Sequence, residues 1–118
     1  MSDVLNPVDL ENAIQEISRR IHAGVPVVTK AEREAREQRR LYDLAYAHAY
    51  LDHEGAAHTK KYAAEIATTE QRQAAEVAEV AFRNTERTAR ALENELRATQ
   101  SIGASIRAMF NGERGFGG

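Results

Sequence analysis

The sequence predicts an all-α protein in which a short N-terminal helix is followed by a long antiparallel helical hairpin of coiled-coil character. Two features of the composition support this fold class. Alanine supplies 21 of the 118 residues, and Ala, Glu, Lys, Leu and Arg together make up about half of the chain, which is typical of long helices and coiled coils. Val, Ile, Leu and Phe together number only 23, too few for a β-rich domain or a large globular core. The third observation is helical periodicity in each segment.

The first segment, residues 1–28, is predicted to be a helix followed by an apolar connector. Asn6 is a favoured N-cap residue, and Pro7 suits the first helical position. Apolar side chains then recur every three or four positions, at Leu10, Ile14, Ile17 and Ile21. Gly24 and Pro26 are predicted to end this helix.

Residues 29–111 are predicted to form the hairpin. Its first helix begins at Thr29, with Glu32 as the partner in a capping box, and leads through a charged half into the apolar stretch Leu41–Leu51. Three tyrosines form an i, i+4, i+8 ridge in that stretch: Tyr42, Tyr46 and Tyr50. This ridge is expected at a helix–helix interface, with base stacking as the alternative. Gly55 marks the turn.

The second helix of the hairpin is predicted over residues 59–110. Thr68-Thr69 is the weakest point, where a new helix can begin. From residue 81 an apolar stripe with a period of 3.6 residues is predicted. Its members are Ala81, Thr85, Thr88, Leu92, Leu96, Thr99, Gly103, Ile106 and Phe110. The helix is expected to end at Asn111-Gly112, and residues 112–118 are expected to form a flexible, glycine-rich tail.

A helix over residues 69–110 is about 60 Å long, far more than a compact domain of this size spans. Its thin stripe buries little area within one chain. The protein is therefore expected to form a homo-oligomer through Leu92, Leu96 and Ile106. A protein partner is the expected binding target.

Two groups of arginines are the candidate nucleic-acid contacts, since guanidinium groups bind phosphates. The first group is Arg33, Arg36, Arg39 and Arg40, and the second is Arg83, Arg87, Arg90 and Arg97. The alternative is a solvated helix face, because Glu79–Arg83, Glu86–Arg90 and Glu93–Arg97 are spaced as i, i+4 ion pairs. The net charge of -2 argues against a globally electrostatic nucleic-acid binder.

Catalytic chemistry has little support in the sequence. The chain has no cysteine, and the only cluster of plausible metal ligands matches no metal-binding spacing; its members are His48, Asp52, His53, Glu54 and His58. No catalytic residue, metal or cofactor is predicted, and the protein is not expected to be an enzyme. No apolar run of membrane-spanning length occurs and the first residues lack a signal pattern, so a cytoplasmic protein without a membrane partner is expected.

The segments 42–51, 60–68 and 100–107 together resemble small helical proteins of tailed bacteriophages, many of which are encoded among replication and recombination genes. The resemblance implies an accessory role in phage DNA recombination or replication, or in host takeover, inside the host cytoplasm. It brings no catalytic residues. The alternative is a virion assembly protein, a scaffold or head–tail component, whose helices contact only other proteins.

Overall fold

The computed structural model describes the backbone of residues 6–117 and the side chains of residues 6–112. It contains three helices, α1 (Pro7–Asp52), α2 (Ala57–Ala67) and α3 (Thr69–Gly117), and no strand within the described backbone. The predicted all-α class is therefore confirmed.

The start of α1 agrees with the sequence prediction. The backbone N–H of Asp9 donates to Oδ1 of Asn6 at 2.9 Å, and Nδ2 of Asn6 donates to the Asp9 carboxylate at 2.8 Å. Asn6 is thus an N-cap whose side chain satisfies an otherwise unpaired helical N–H, with Pro7 at the first helical position.

The predicted break at Gly24 and Pro26 is wrong, as is the predicted helix start at Thr29. Helix α1 runs without interruption from Pro7 to Asp52, with Pro26 inside it. Proline removes the hydrogen bond to the carbonyl of His22, but both residues are exposed, so water can satisfy that carbonyl. Gly24 does not adopt a left-handed conformation, since Gly55 alone among the described residues has positive φ.

The turn after α1 agrees with the prediction. Gly55 has φ 132°, a region that residues with a Cβ rarely adopt, and it lies between the end of α1 at Asp52 and the start of α2 at Ala57. Ala56 precedes α2 in an extended conformation and provides no side-chain cap.

Helices α2 and α3 meet at Thr68, so the helix breaks at Thr68-Thr69, where the sequence left both a break and a continuous helix open. The Thr68 hydroxyl donates to the carbonyl of Ala64 at 2.7 Å, and the Thr68 N–H donates to the same oxygen at 3.1 Å. Thr69 adds a hydroxyl bond to the carbonyl of Ile66 at 3.0 Å. Hydroxyl groups that bond back to helical carbonyls bend helices, which accounts for the junction.

The predicted end of the last helix at Asn111-Gly112 is also wrong. Helix α3 continues to Gly117, and Gly118 lies outside the described residues. Glycine can take helical dihedral angles, and no proline follows to stop the helix. Backbone residues 112–117 of the predicted glycine-rich tail are therefore helical.

The chain divides into two compact units. Unit 1 comprises Met1–Val25 and Arg87–Gly118, and unit 2 comprises Pro26–Glu86. Each unit thus contains part of α1 and part of α3. The predicted division into segments 1–28, 29–111 and 112–118 stays a prediction.

The apolar seam of unit 1 contains large side chains. Leu10 and Ile17 of α1 are buried, and Ile14 is half-buried. Leu10 and Ile14 line a groove of about 370 Å³ together with Gly103 and Ile106 of α3. Leu92 and Leu96 are also half-buried, and they lie on the same side of α3 as Gly103 and Ile106 because the covered positions are spaced by four and three residues.

The buried stripe of α3 has a shorter period than predicted. Ala81, Thr88 and Phe110 are exposed, and Phe82 and Ala89 are half-buried in their place. The covered positions alternate in steps of four and three residues over 75–106, a period of 3.5. Positions spaced by 3.6 residues drift by about 20° per heptad relative to positions spaced by 3.5. The predicted stripe therefore coincides with the covered face in the middle of the helix and departs from it at both ends.

Candidate protein-interaction surface

Two adjoining grooves in unit 2 hold several of the predicted arginines. They have volumes of about 630 and 350 Å³ and share Ala35 and Arg39 of α1 and Glu79 of α3. Four arginines line them: Arg36, Arg39, Arg72 and Arg83. Three glutamates line the same grooves: Glu32, Glu76 and Glu79. Positive and negative groups are therefore interleaved along this surface.

Carboxylates on the same helices engage three of the four groove arginines, and Arg72 forms no ion pair among the described residues. Arg36 pairs with Glu32 at 3.5 Å, and Arg39 pairs with Asp43 at 3.2 Å. Arg83 contacts Glu79 at 2.9 Å and Glu86 at 2.8 Å. The hydrogen bond to Glu86, followed by the charge of Glu79, raises the pKa of Arg83. Guanidinium groups held by carboxylates are poorly available to phosphate, so these grooves favour a partner of mixed charge.

The predicted face Arg33, Arg36 and Arg40 is interrupted in the same way. Arg40 binds Glu37 through two hydrogen bonds of 2.6 and 3.0 Å. This contact lowers the pKa of the Glu37 carboxyl and raises that of Arg40. Arg33 forms no ion pair among the described residues.

The arginines of α3 in unit 1 are less engaged than predicted. The i, i+4 pairs Glu86–Arg90 and Glu93–Arg97 do not form within the described part of the chain. Glu86 binds Arg83 instead of Arg90. Arg97 makes only a long hydrogen bond to Asn94, at 3.4 Å. Arg87, Arg90 and Arg97 are exposed and span about 15 Å of helix.

The tyrosine ridge exists and is half-buried. The ring centroids of Tyr42 and Tyr46 are 6.3 Å apart, and those of Tyr46 and Tyr50 are 6.4 Å apart. Arg39 lies over the Tyr42 ring at 5.7 Å, and Lys60 lies over the Tyr50 ring at 5.6 Å. Two of the three rings thus have a cation from the same chain over them, which favours a packing role over base stacking.

The metal-ligand cluster considered in the sequence is not assembled. Within the part of the chain that the structure describes, no three His, Cys, Asp or Glu side chains lie close enough together to hold a metal ion. His48, Asp52 and His58 are exposed. In the same residues, no helix has the length and apolarity required to cross a membrane.

Unit 2 exposes several large apolar side chains although all of its fully buried residues are small, and sequence reasoning missed this. The buried residues of unit 2 are all small, namely Ala35, Ala64, Thr68, Ala75 and Ala78. The exposed apolar residues of unit 2 are larger, namely Val27, Leu41, Leu44, Leu51, Tyr62, Ile66, Val77 and Val80. A helix normally turns its large apolar side chains toward its packing partner. The exposed side of unit 2 is therefore suited to a further contact.

Four of these side chains form a stripe along α2 and α3, which we call the outer stripe: Tyr62, Ile66, Val77 and Val80. They are 60–77% exposed. At 100° per residue they lie within about 60° of one another and opposite the buried positions of the same helices. Val80 also lines the larger groove of unit 2, at the edge of the stripe. The sequence signal for this stripe is the spacing of seven residues from Ile66 to Gln73 and from Gln73 to Val80.

No family model matches the chain, and no curated protein or solved structure matches it significantly. Function is therefore inferred from the surfaces of the described residues.

Proposed function

We propose that the protein is a non-enzymatic, self-associating helical accessory protein that acts by binding other proteins. The exposed area carries this proposal. The chain has an accessible surface of 8972 Å², whereas a folded monomer of 13.1 kDa exposes about 6,400 Å². The excess of about 2,600 Å² exceeds the roughly 800 Å² that each partner covers in an interface of standard size.

The proposed architecture is an antiparallel helical hairpin of coiled-coil type. Its support comes from each unit separately. In unit 2, Tyr42 shares a groove with Arg72, while the earlier residue Arg36 shares one with the later residue Arg83. In unit 1, Leu10 lies beside Ile106 in another groove. The period of 3.5 residues on α3 is that of coiled-coil packing.

A role in phage DNA recombination, replication or host takeover, within the host cytoplasm, is part of this proposal. Its support is the resemblance of segments 42–51, 60–68 and 100–107 to phage proteins. Virion assembly is the alternative role, and it requires protein contacts alone. Identification of proteins retained by the tagged full-length chain from infected and uninfected cells distinguishes the two roles.

Nucleic-acid binding is a second candidate function. Its support is the exposed row Arg87, Arg90 and Arg97, which forms no ion pair in the described structure. We expect fluorescence anisotropy with duplex DNA to show binding that weakens as salt rises, with a shallower salt dependence for Arg87→Ala/Arg90→Ala. Arg36→Ala/Arg39→Ala is the matched control. Absence of binding at 50 mM salt overturns this candidate.

Self-association is tested by sedimentation velocity on the full chain over a range of concentrations. We expect a species of at least twice the chain mass of 13.1 kDa. A monomer at every concentration overturns the proposed function.

A further inference from the structure

We infer that the outer stripe of α2 and α3 is the surface on which a second copy of this chain packs, with Gln73 of one copy opposite Gln73 of the other. This inference rests on the proposed self-association and assigns it to a particular surface.

The first argument is the contrast between the two faces of the same helices. Ala64 and Ala75 are 0% and 8% exposed on the inner face, whereas Ile66 and Val77 are 77% and 70% exposed on the outer face. The outer face thus offers more apolar area per residue than the face that α2 and α3 already bury. Burial of that area favours association, since the hydrophobic effect scales with the apolar surface removed from water.

The second argument is that the stripe is continuous across the Thr68 junction. The N–H of Thr68 donates to the carbonyl of Ala64 at 3.1 Å, and the N–H of Arg72 donates to the carbonyl of Thr68 at 3.0 Å. The helical hydrogen bonds therefore continue on both sides of the junction. From Tyr62 to Val80 the stripe is about 27 Å long, which is enough for five turns of helix packing.

The third argument identifies the occupant as a second copy. The excess exposed area of the chain is larger than each partner of a standard dimer covers, so self-association accounts for it without another protein. Two members of the stripe are also placed symmetrically, because Ile66 and Val80 each lie seven residues from Gln73. An isologous contact requires such a self-complementary pattern.

The polar centre of the stripe defines the alignment of the two copies. A single polar residue in an apolar helical seam selects the register in which it meets a polar group. Pairing Gln73 with Gln73 brings amide to amide, and it places Ile66 and Val80 against apolar side chains for both parallel and antiparallel copies.

The test compares two double variants of the full chain by sedimentation velocity. We expect Ile66→Glu/Val80→Glu to weaken self-association at least 100-fold, because it places unpaired carboxylates in the contact. Val8→Glu/Met109→Glu is the matched control, since Val8 and Met109 are 66% and 68% exposed but lie in unit 1. It is expected to associate like the wild type. All four sites are exposed, so helix content by circular dichroism is expected to be unchanged.

An associated wild type together with an equally associated stripe variant overturns this inference and leaves the proposed function standing. A monomeric wild type overturns both.

A covalent test remains if the stripe variant loses helix content. The chain has no cysteine, so Gln73→Cys introduces a single thiol, and oxidation is expected to link two copies. Gln15→Cys, on an exposed position of α1, is the control and is expected to remain unlinked. Failure of Gln73→Cys to link above the control level overturns the inference.

Discussion

Replacement of Pro26 tests whether α1 is one helix. Pro26 lies inside α1, is exposed, and leaves the carbonyl of His22 without its helical hydrogen bond. Alanine is about 3 kcal/mol more favourable than proline inside a helix. The unfolded chain regains about 0.4–1 kcal/mol of conformational freedom when proline is removed, which offsets part of that gain. The net expectation for Pro26→Ala is about 2 kcal/mol of added stability.

For a chain of this length, about 2 kcal/mol corresponds to a rise in Tm of roughly 8 °C. Thermal unfolding followed by circular dichroism measures it, at one fixed protein concentration because self-association changes Tm. Gly24→Ala is the companion variant. A Cβ at Gly24 meets nothing within 4 Å, so helix propensity alone predicts a gain of about 1 kcal/mol.

A chain that turned between Gly24 and Pro26 would respond in the opposite direction. Gly24→Ala would then strain a left-handed residue, and Pro26→Ala would remove a residue suited to the turn. A fall or no change in Tm for both variants therefore refutes the continuous helix.

Three further substitutions test other parts of the structure by the same unfolding measurement. Gly55→Ala is expected to lower stability by about 1–3 kcal/mol because φ is 132° there; an unchanged Tm contradicts that dihedral angle. Gln71→Leu is expected to raise stability by about 1–3 kcal/mol, since Oε1 of Gln71 is buried and has no hydrogen-bond partner among the described residues; a loss of stability indicates an unrecognised partner. Asn6→Ala is expected to cost about 1 kcal/mol through loss of the bond to the Asp9 N–H, while Asn6→Ser, which keeps an uncharged acceptor at the N-cap, is expected to retain most of it.

Local signals predicted several helix boundaries correctly. Asn6 caps α1, Gly55 provides the turn, and Thr68 separates α2 from α3. In each case the cause lies in a few neighbouring residues, through a side-chain cap, a positive φ or a hydroxyl that competes for a carbonyl. Such causes are visible in one sequence.

Other features depend on contacts that local patterns do not contain. Pro26 is a strong helix breaker on average, yet α1 continues through it, because its position is exposed and water can satisfy the carbonyl of His22. Glu86 has two arginines within reach, Arg83 three residues before it and Arg90 four residues after it. The sequence favours the pair with Arg90, but the side-chain conformation in the structure pairs Glu86 with Arg83. The outer stripe is not predictable from periodicity alone, because its side chains stand out only beside the smaller residues that the same helices bury.

The alanine-rich interior of unit 2 has a consequence for how its helices are aligned. Because Ala35, Ala75 and Ala78 have the same small side chain, the fully buried alanines of unit 2 discriminate weakly between alignments of its helices. The connection of four residues between Asp52 and Ala57 permits only one alignment. The register of unit 2 is therefore specified by the length of its turn, and insertion of residues beside Gly55 is expected to re-register the helices while leaving their helix content intact.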